Sequence, residues 1–321
     1  MKKLTPILLG IFMLSQSANT AAQTLEPATF SYGPDASQVL DLYLPEEPTE
    51  KMLSTIVLAH GGLWHSGGRD NLTVLCRNIV SQSNGTIACA SIDYRLSQDL
   101  GGECTGTGKA TYLDQVADML LAYNWLQKNA EHYQINPQRM FIGGHSAGGH
   151  LAQVLNLRWH EFARSCDGGQ PCQAPLGAIG LEGIYNIPAW DEYDRSFWEG
   201  RFECTTRKAF GAPGPSPAAC LDPGTDRRCW DMGSPAWLTE NAGDLGIKPV
   251  ADVLLVHSTG DNWVDIAEAE NFGQLMQKTW SDIDVLVKTD GSCASSQHND
   301  MLSEVALAEC IIAFVSGRHT P

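Results

Sequence analysis

Apolar residues fall along the chain in short blocks, and the blocks alternate with stretches of helical period. Val39 to Leu44 alternates, with Val39, Asp41 and Tyr43 opposite Leu40, Leu42 and Leu44, which predicts a strand ended by Pro45 and Pro48. Ser54–Ala59, Ile87–Ile92, Met140–Gly143, Leu176–Leu181, Asp252–Val256 and Ile283–Val287 are short and largely apolar, as strands buried on both faces are. Leu113–Ala130 sets Val116, Met119, Leu120, Tyr123 and Leu126 on one helical face. Ala147–Leu157, Ala267–Lys278 and Asp300–Val315 also read as helices. This alternation predicts an α/β fold, with a mostly parallel central sheet covered by helices on both faces.

Two regions depart from the pattern. Gln23–Gln38 is a mostly polar lead-in. Trp190–Leu238 keeps no clean period but is rich in Pro, Gly, aromatics and cysteines (Cys204, Cys220, Cys229), which predicts a folded, disulfide-stapled insertion at about 190–238. The start of the chain predicts an export signal over residues 1–22. Lys2 and Lys3 precede an apolar run from Ile7 to Leu14, and small residues from Ala18 to Ala22 offer a cleavage site. That run is too short to span a membrane. Residues 23–321 then form one domain, expected in the periplasm or outside the cell.

Composition agrees with a globular, exported chain. Of 321 residues, 43% are hydrophobic and 18% charged, enough for a large core. A formal net charge of −16 repels phosphate backbones and anionic lipids, so neither nucleic acid nor membrane is expected as a partner. All ten cysteines follow the signal, and none forms a C-x-x-C pair, which favours disulfides over zinc. Cys166 with Cys172, Cys220 with Cys229 (Cys204 competing) and Cys293 with Cys310 are the local pairings the spacing allows.

Gly144-His145-Ser146-Ala147-Gly148 lies between a predicted strand and a predicted helix, the setting of a nucleophile elbow. A serine hydroxyl needs a base, the base needs an orienting acid, and the oxyanion needs N–H donors. The glycine turn His60-Gly61-Gly62-Leu63-Trp64 follows an early strand, so the N–H groups of Gly62, Leu63 and Ala147 are the expected oxyanion hole. Asp261, in the turn after Asp252–Val256, is the expected acid, with Asp265 as its nearest rival. Of nine histidines only His298 follows the last strand and precedes the last helix, so it is the expected base, with His65 and His257 as rivals. Trp64 and the aromatics of the insertion are expected to line the substrate pocket. No metal or cofactor is required by this chemistry.

Tyr32-Gly33-Pro34-Asp35, Leu40-Asp41-Leu42-Tyr43-Leu44-Pro45, His60–Trp64, Asp93-Tyr94-Arg95-Leu96, Gly144–His150 and Gly183-Ile184-Tyr185 together resemble small α/β-hydrolase serine esterases. The resemblance is to the group of bifunctional feruloyl and acetyl xylan esterases and kynurenine formamidases. It covers most of the chain from Tyr32 onward. It implies the α/β-hydrolase fold and a serine carboxylesterase acting on small-molecule or polysaccharide-linked esters. Amide hydrolysis by the same triad is the alternative, followed by a non-catalytic binding protein of the same fold. Leu63 stands where lipase-like esterases carry a third glycine.

Overall fold

The computed structural model describes residues 25–49, 52–97, 109–164, 172–211 and 227–318. The predicted export signal, Cys104, Cys166 and Cys220 lie outside the described residues. Eight strands form one sheet: β1 (Ala28–Ser31), β2 (Val39–Tyr43), β3 (Leu53–Ala59), β4 (Ile87–Ile92), β5 (Ile135–His145), β6 (Gly177–Leu181), β7 (Asp252–Val256) and β8 (Val285–Lys288). Their order is β1-β2-β4-β3-β5-β6-β7-β8. β1 and β2 run antiparallel at one edge, and all pairs from β4 to β8 are parallel.

The helices are α1 (Thr73–Gln82), α2 (Tyr112–Lys128), α3 (Ala147–Leu157), α4 (Trp159–Phe162), α5 (Ile187–Phe197), α6 (Glu203–Phe210), α7 (Arg227–Met232), α8 (Pro235–Glu240), α9 (Ala242–Leu245), α10 (Ala267–Thr279) and α11 (Val305–Ser316). The central strands bury both faces, because successive side chains point to opposite sides. In β3, Ile56 and Leu58 join the core formed with α1 and α11, whereas Val57 and Ala59 join the core formed with α2, α3 and α10. This explains the unbroken apolar runs in the sequence. Among the described residues no helix is long and apolar enough to cross a membrane.

Three elements differ from the sequence reading. The polar lead-in contains β1, an exposed edge strand with no apolar pattern to betray it. Helix α1 follows the glycine turn unannounced. The insertion is helical, built from α5 to α8, and is held by buried tryptophans. Trp190 Nε1 donates to Thr206 Oγ1 at 3.1 Å, and Trp230 Nε1 to Gly211 O at 2.7 Å.

Cys293 and Cys310 are bonded, as their spacing allowed, tying the loop before α11 to that helix. Cys76 and Cys89 form a second disulfide, which joins α1 to β4. Cys172 and Cys204 each take part in a further disulfide.

Candidate active site

Parallel strands carry their connecting loops to one edge of the sheet, and the candidate residues gather there. Ser146 sits between the end of β5 and the start of α3 with φ 53° and ψ −119°, a backbone conformation costly for any residue with a side chain. The turn is held because the Ser146 N–H donates to Leu181 O at 2.7 Å. The flanking glycines are sterically required. A Cβ on Gly144 would lie 2.4 Å from Gly148 C, and one on Gly148 would lie 2.1 Å from Ala59 O.

The glycine turn after β3 uses left-handed conformations in succession, with φ 112° at Gly62, 51° at Leu63 and 62° at Trp64. Gly62 O accepts from the N–H groups of His65 and Ser66. Among the described residues, no turn or loop hydrogen bond uses the N–H of Gly62, Leu63 or Ala147. The Asp93–Leu96 motif braces this turn. Tyr94 Oη donates to His60 O at 2.9 Å, and its ring stacks on His60 with centroids 4.3 Å apart. Arg95 Nη2 donates to Asp118 Oδ1 at 2.7 Å, while Arg69 Nε lies 3.0 Å from Asp41 Oδ1 and its Nη1 pairs with Asp93.

Asp261 and His298 meet. His298 Nδ1 lies 2.8 Å from Asp261 Oδ2, so the ring nitrogen turned away from the carboxylate is Nε2. Asp261 is fixed by N–H donors from Trp263 (2.7 Å) and Val264 (3.2 Å) on its other oxygen. Burial would raise the Asp261 pKa, but hydrogen bonds from His257 and His298 outweigh it and hold the carboxyl well below the usual range. For His298, burial opposes the charged ring, yet Asp261 and Glu182 win and push its pKa up to about 9.

The rivals are accounted for elsewhere. Asp265 accepts from the Ala267 N–H at 3.0 Å, at the start of α10. His257 is fully buried, with Nε2 3.0 Å from Asp261 Oδ2. His65 is exposed on the rim.

Gly62, Leu63, Ser146 and His298 border one cavity of about 330 Å³, which Trp190, Phe202, Thr205 and Trp263 also line. Trp64 is not among its walls. This corrects the sequence expectation: Trp64 is 0% exposed, its Nε1 donates to His150 Nδ1 at 3.1 Å, and its ring packs edge-on against Phe210. The left-handed turn at Leu63 and Trp64 turns the indole inward, beneath the site. His150 is thereby assigned too. With Nδ1 accepting, its Nε2 donates to Gly233 O at 2.7 Å, and burial holds its pKa down at about 4.

One residue escaped the sequence reading. Glu182, directly after β6, is 0% exposed and lies 2.9 Å from His298 Nδ1 through Oε2. Its position was the available signal, since a carboxylate at the carboxyl end of a central parallel strand faces the same edge as Ser146. Ligand atoms of His145, Glu182 and His298, and of Glu182, His257 and Asp261, lie within 4.8 Å of one another. These atoms bond to one another or to backbone groups, so a hydrogen-bond network accounts for both clusters.

Residues 40–174 match the model of the family described as BD-FAE. Esterase LipC of Mycobacterium tuberculosis is 24% identical over 163 residues, 50% of this chain and 36% of that protein. Neutral cholesterol ester hydrolase 1 of Bos taurus is 31% identical over 121 residues, 36% of this chain and 27% of that protein. The chain thus spans about a third or less of the length of these curated relatives. Among solved structures, carboxyl esterase 2 of Tuber melanosporum superposes with TM-score 0.63 at 21% identity, covering 92% of this chain and 88% of that one. A truncated carbohydrate esterase from gut microbiota superposes with TM-score 0.62 at 17% identity, covering 91% and 96%. Sheet order, the turn at Ser146 and these superpositions agree: the chain has the α/β-hydrolase fold, and residues 40–174, which include Ser146, match the BD-FAE model.

Proposed function

We propose that this chain is an exported serine carboxylesterase that hydrolyses small acyl or aromatic esters through an acyl-enzyme on Ser146. One arrangement carries the reading: a strained Ser146 at φ 53° shares a cavity with His298, whose Nδ1 is 2.8 Å from Asp261 Oδ2. His298 Nε2 takes the proton of Ser146 Oγ as that oxygen attacks the ester carbonyl. The oxyanion is held by the N–H groups of Gly62 or Leu63 and of Ala147. The alcohol leaves with the proton from Nε2, and water, activated by the same nitrogen, releases the acid.

The cavity size suits a small ester, and its aromatic wall favours an apolar acyl or aromatic group. The similar proteins are esterases, a carbohydrate esterase among them, which supports ester over amide and admits polysaccharide-linked substrates. Export into an oxidising compartment is supported by the leader pattern and by the Cys76–Cys89 and Cys293–Cys310 disulfides.

The test pairs a fluorophosphonate probe with a substrate panel of p-nitrophenyl acetate, methyl ferulate, acetylated xylan and N-formylkynurenine. Labelling lost in Ser146→Ala, with turnover of esters, is expected. Equal labelling of Ser146→Ala would sink the reading, and preference for N-formylkynurenine would move it to amide chemistry.

A further inference from the structure

His298 Nδ1 carries one proton, yet two carboxylates lie within hydrogen-bond distance of it. Asp261 Oδ2 is at 2.8 Å and Glu182 Oε2 at 2.9 Å. Their side chains are 1% and 0% exposed, and they come from different strands, Asp261 after β7 and Glu182 after β6.

Glu182 is built into this place. Its backbone is left-handed, with φ 49°, a strained conformation for a residue with a side chain. Its N–H donates to Val256 O at 2.8 Å, and its Oε1 accepts from the Ser258 N–H at 3.3 Å, so it is pinned to β7 and the turn beyond. The chain after it is tied down by Glu268, whose Oε2 accepts from the N–H groups of Tyr185 (2.6 Å) and Asn186 (2.8 Å).

The other groups facing His298 are histidines. His145, from the elbow, donates Nε2–H to His298 O at 3.0 Å and lies 3.4 Å from Glu182 Oε2, with ring centroids 4.5 Å from His298. His257 reaches the pair only through Asp261. Among the described residues every ion-pair partner of the two carboxylates is a histidine, so no Lys or Arg neutralises either of them. Both carboxylates therefore meet at the His298 ring, with His145 beside Glu182 and His257 beside Asp261.

We propose that Glu182 is a second acid of the relay, holding His298 Nδ1–H together with Asp261 and sharing the charge that forms on the ring when Ser146 attacks. This rests on the reading of Ser146 and His298 given under Proposed function. The proton moves from Ser146 Oγ to His298 Nε2 as the O–C bond forms, and from Nε2 to the leaving alkoxide as the ester C–O bond breaks. Neither carboxylate gains a proton in either step. Glu182 is a positioning residue, because it acts through His298 and touches no reacting atom. A buried ion pair with one acid loses its function when that acid is neutralised. With two acids, either keeps the ring in the correct tautomer.

The mature chain is compared with Glu182→Gln, Glu182→Asp, Asp261→Asn and the Glu182→Gln/Asp261→Asn double variant. The readouts are kcat/KM for p-nitrophenyl acetate against pH, and NMR titration of the His298 ring. Asp261→Asn is expected to lose roughly 10–100-fold, and the double variant about 10⁴-fold, the loss seen when a lone triad acid is neutralised. Glu182→Gln should move the acidic limb of the pH profile, and the ring titration, about one unit lower, because one of two stabilising charges is gone. Glu182→Asp should restore the limb.

An unmoved limb in a folded Glu182→Gln would overturn the proposal, leaving Glu182 as a strut for Ser258. So would an Asp261→Asn variant as inactive as the double. If the intact protein has no esterase activity, the reading under Proposed function fails by itself, while the ring titration still decides whether Glu182 holds His298.

Discussion

The two walls of the cavity are built on opposite principles. The sheet wall presents Ser146 and His298, and behind them Asp261 and Glu182, all on loops leaving parallel strands and each fixed by hydrogen bonds to neighbouring backbone or side chains. The aromatic wall presents Trp190, Phe202 and Trp263, the last with its ring stacked 6.3 Å from that of His298, and these offer area rather than bonds. Trp263 joins the two: it follows Asp261 in the acid turn, yet its ring packs 5.3 Å from Trp198 and 5.7 Å from Phe202. The difference teaches a division of labour. A reacting group misplaced by an ångström loses most of its effect, so it is held by short polar bonds. An apolar wall tolerates adjustment and sets which acyl group fits.

The comparison breaks hardest at Ser146. Ser146→Ala should fold normally and lose ester turnover by roughly 10⁴–10⁶-fold, measured as kcat with p-nitrophenyl acetate. Residual turnover within tenfold of the intact chain would remove the sheet wall from the chemistry.

Next comes pH. His298 must be neutral to accept a proton, and its pKa is raised to about 9, so kcat/KM should climb through the neutral range and level off near that value. Activity at pH 6 should be down by on the order of 10²–10³-fold. Stability runs the other way for this residue. The charged ring stabilises the fold fully below about pH 6.5, and that contribution is lost as pH rises through about 9. His150, which links the sheet side to Gly233 of the cap, is buried neutral with a pKa of about 4, so its contribution is present above about pH 6.5 and lost as pH falls through 4. Thermal melts across pH should therefore peak near 6.5, with alkali loosening the relay and acid the cap. A flat profile would contradict both assignments.

The loop carrying His298 is stapled at Cys293 to α11. Replacing Cys293 and Cys310 by alanine should cost about 2–4 kcal/mol, seen as a shift in urea midpoint. The smallest effect sharpens the comparison at the aromatic wall. Trp263→Ala should change KM by about tenfold or less and leave kcat for acetyl esters near that of the intact chain. Trp64→Phe should instead cost about 1–3 kcal/mol of stability, because the buried His150 Nδ1 loses its donor, and leave the ester profile unchanged. If Trp64→Phe alters selectivity and Trp263→Ala does not, the two tryptophans have been assigned the wrong way round.

Much of this was readable along the chain. Ile87–Ile92, Ala147–Leu157 and Asp252–Val256 form the elements their patterns predict, residue for residue. β5 begins at Ile135, which is buried opposite Leu53, but Asn136–Arg139 then break the register before pairing resumes at Met140, so no apolar period marks them. Ser146, Asp261 and His298 were legible because each lies at a junction between a strand and the next turn or helix. The helical cap was not, because α5 to α8 are short and bury tryptophans at irregular spacing against one another rather than along one stripe.

By itself the sequence determined the order of strands and helices, the sheet class, and which serine, aspartate and histidine leave the sheet at one edge. Periodicity reports which face of each element is buried, and glycines report where the backbone must turn or be approached closely. Only the tertiary structure decided that Trp64 points into the core, that Cys76 meets Cys89, and that Glu182 lies beside Asp261 at His298 Nδ1. Those are meetings between residues on different elements, and nothing in local spacing encodes the distance between two strand ends until the sheet has brought them side by side.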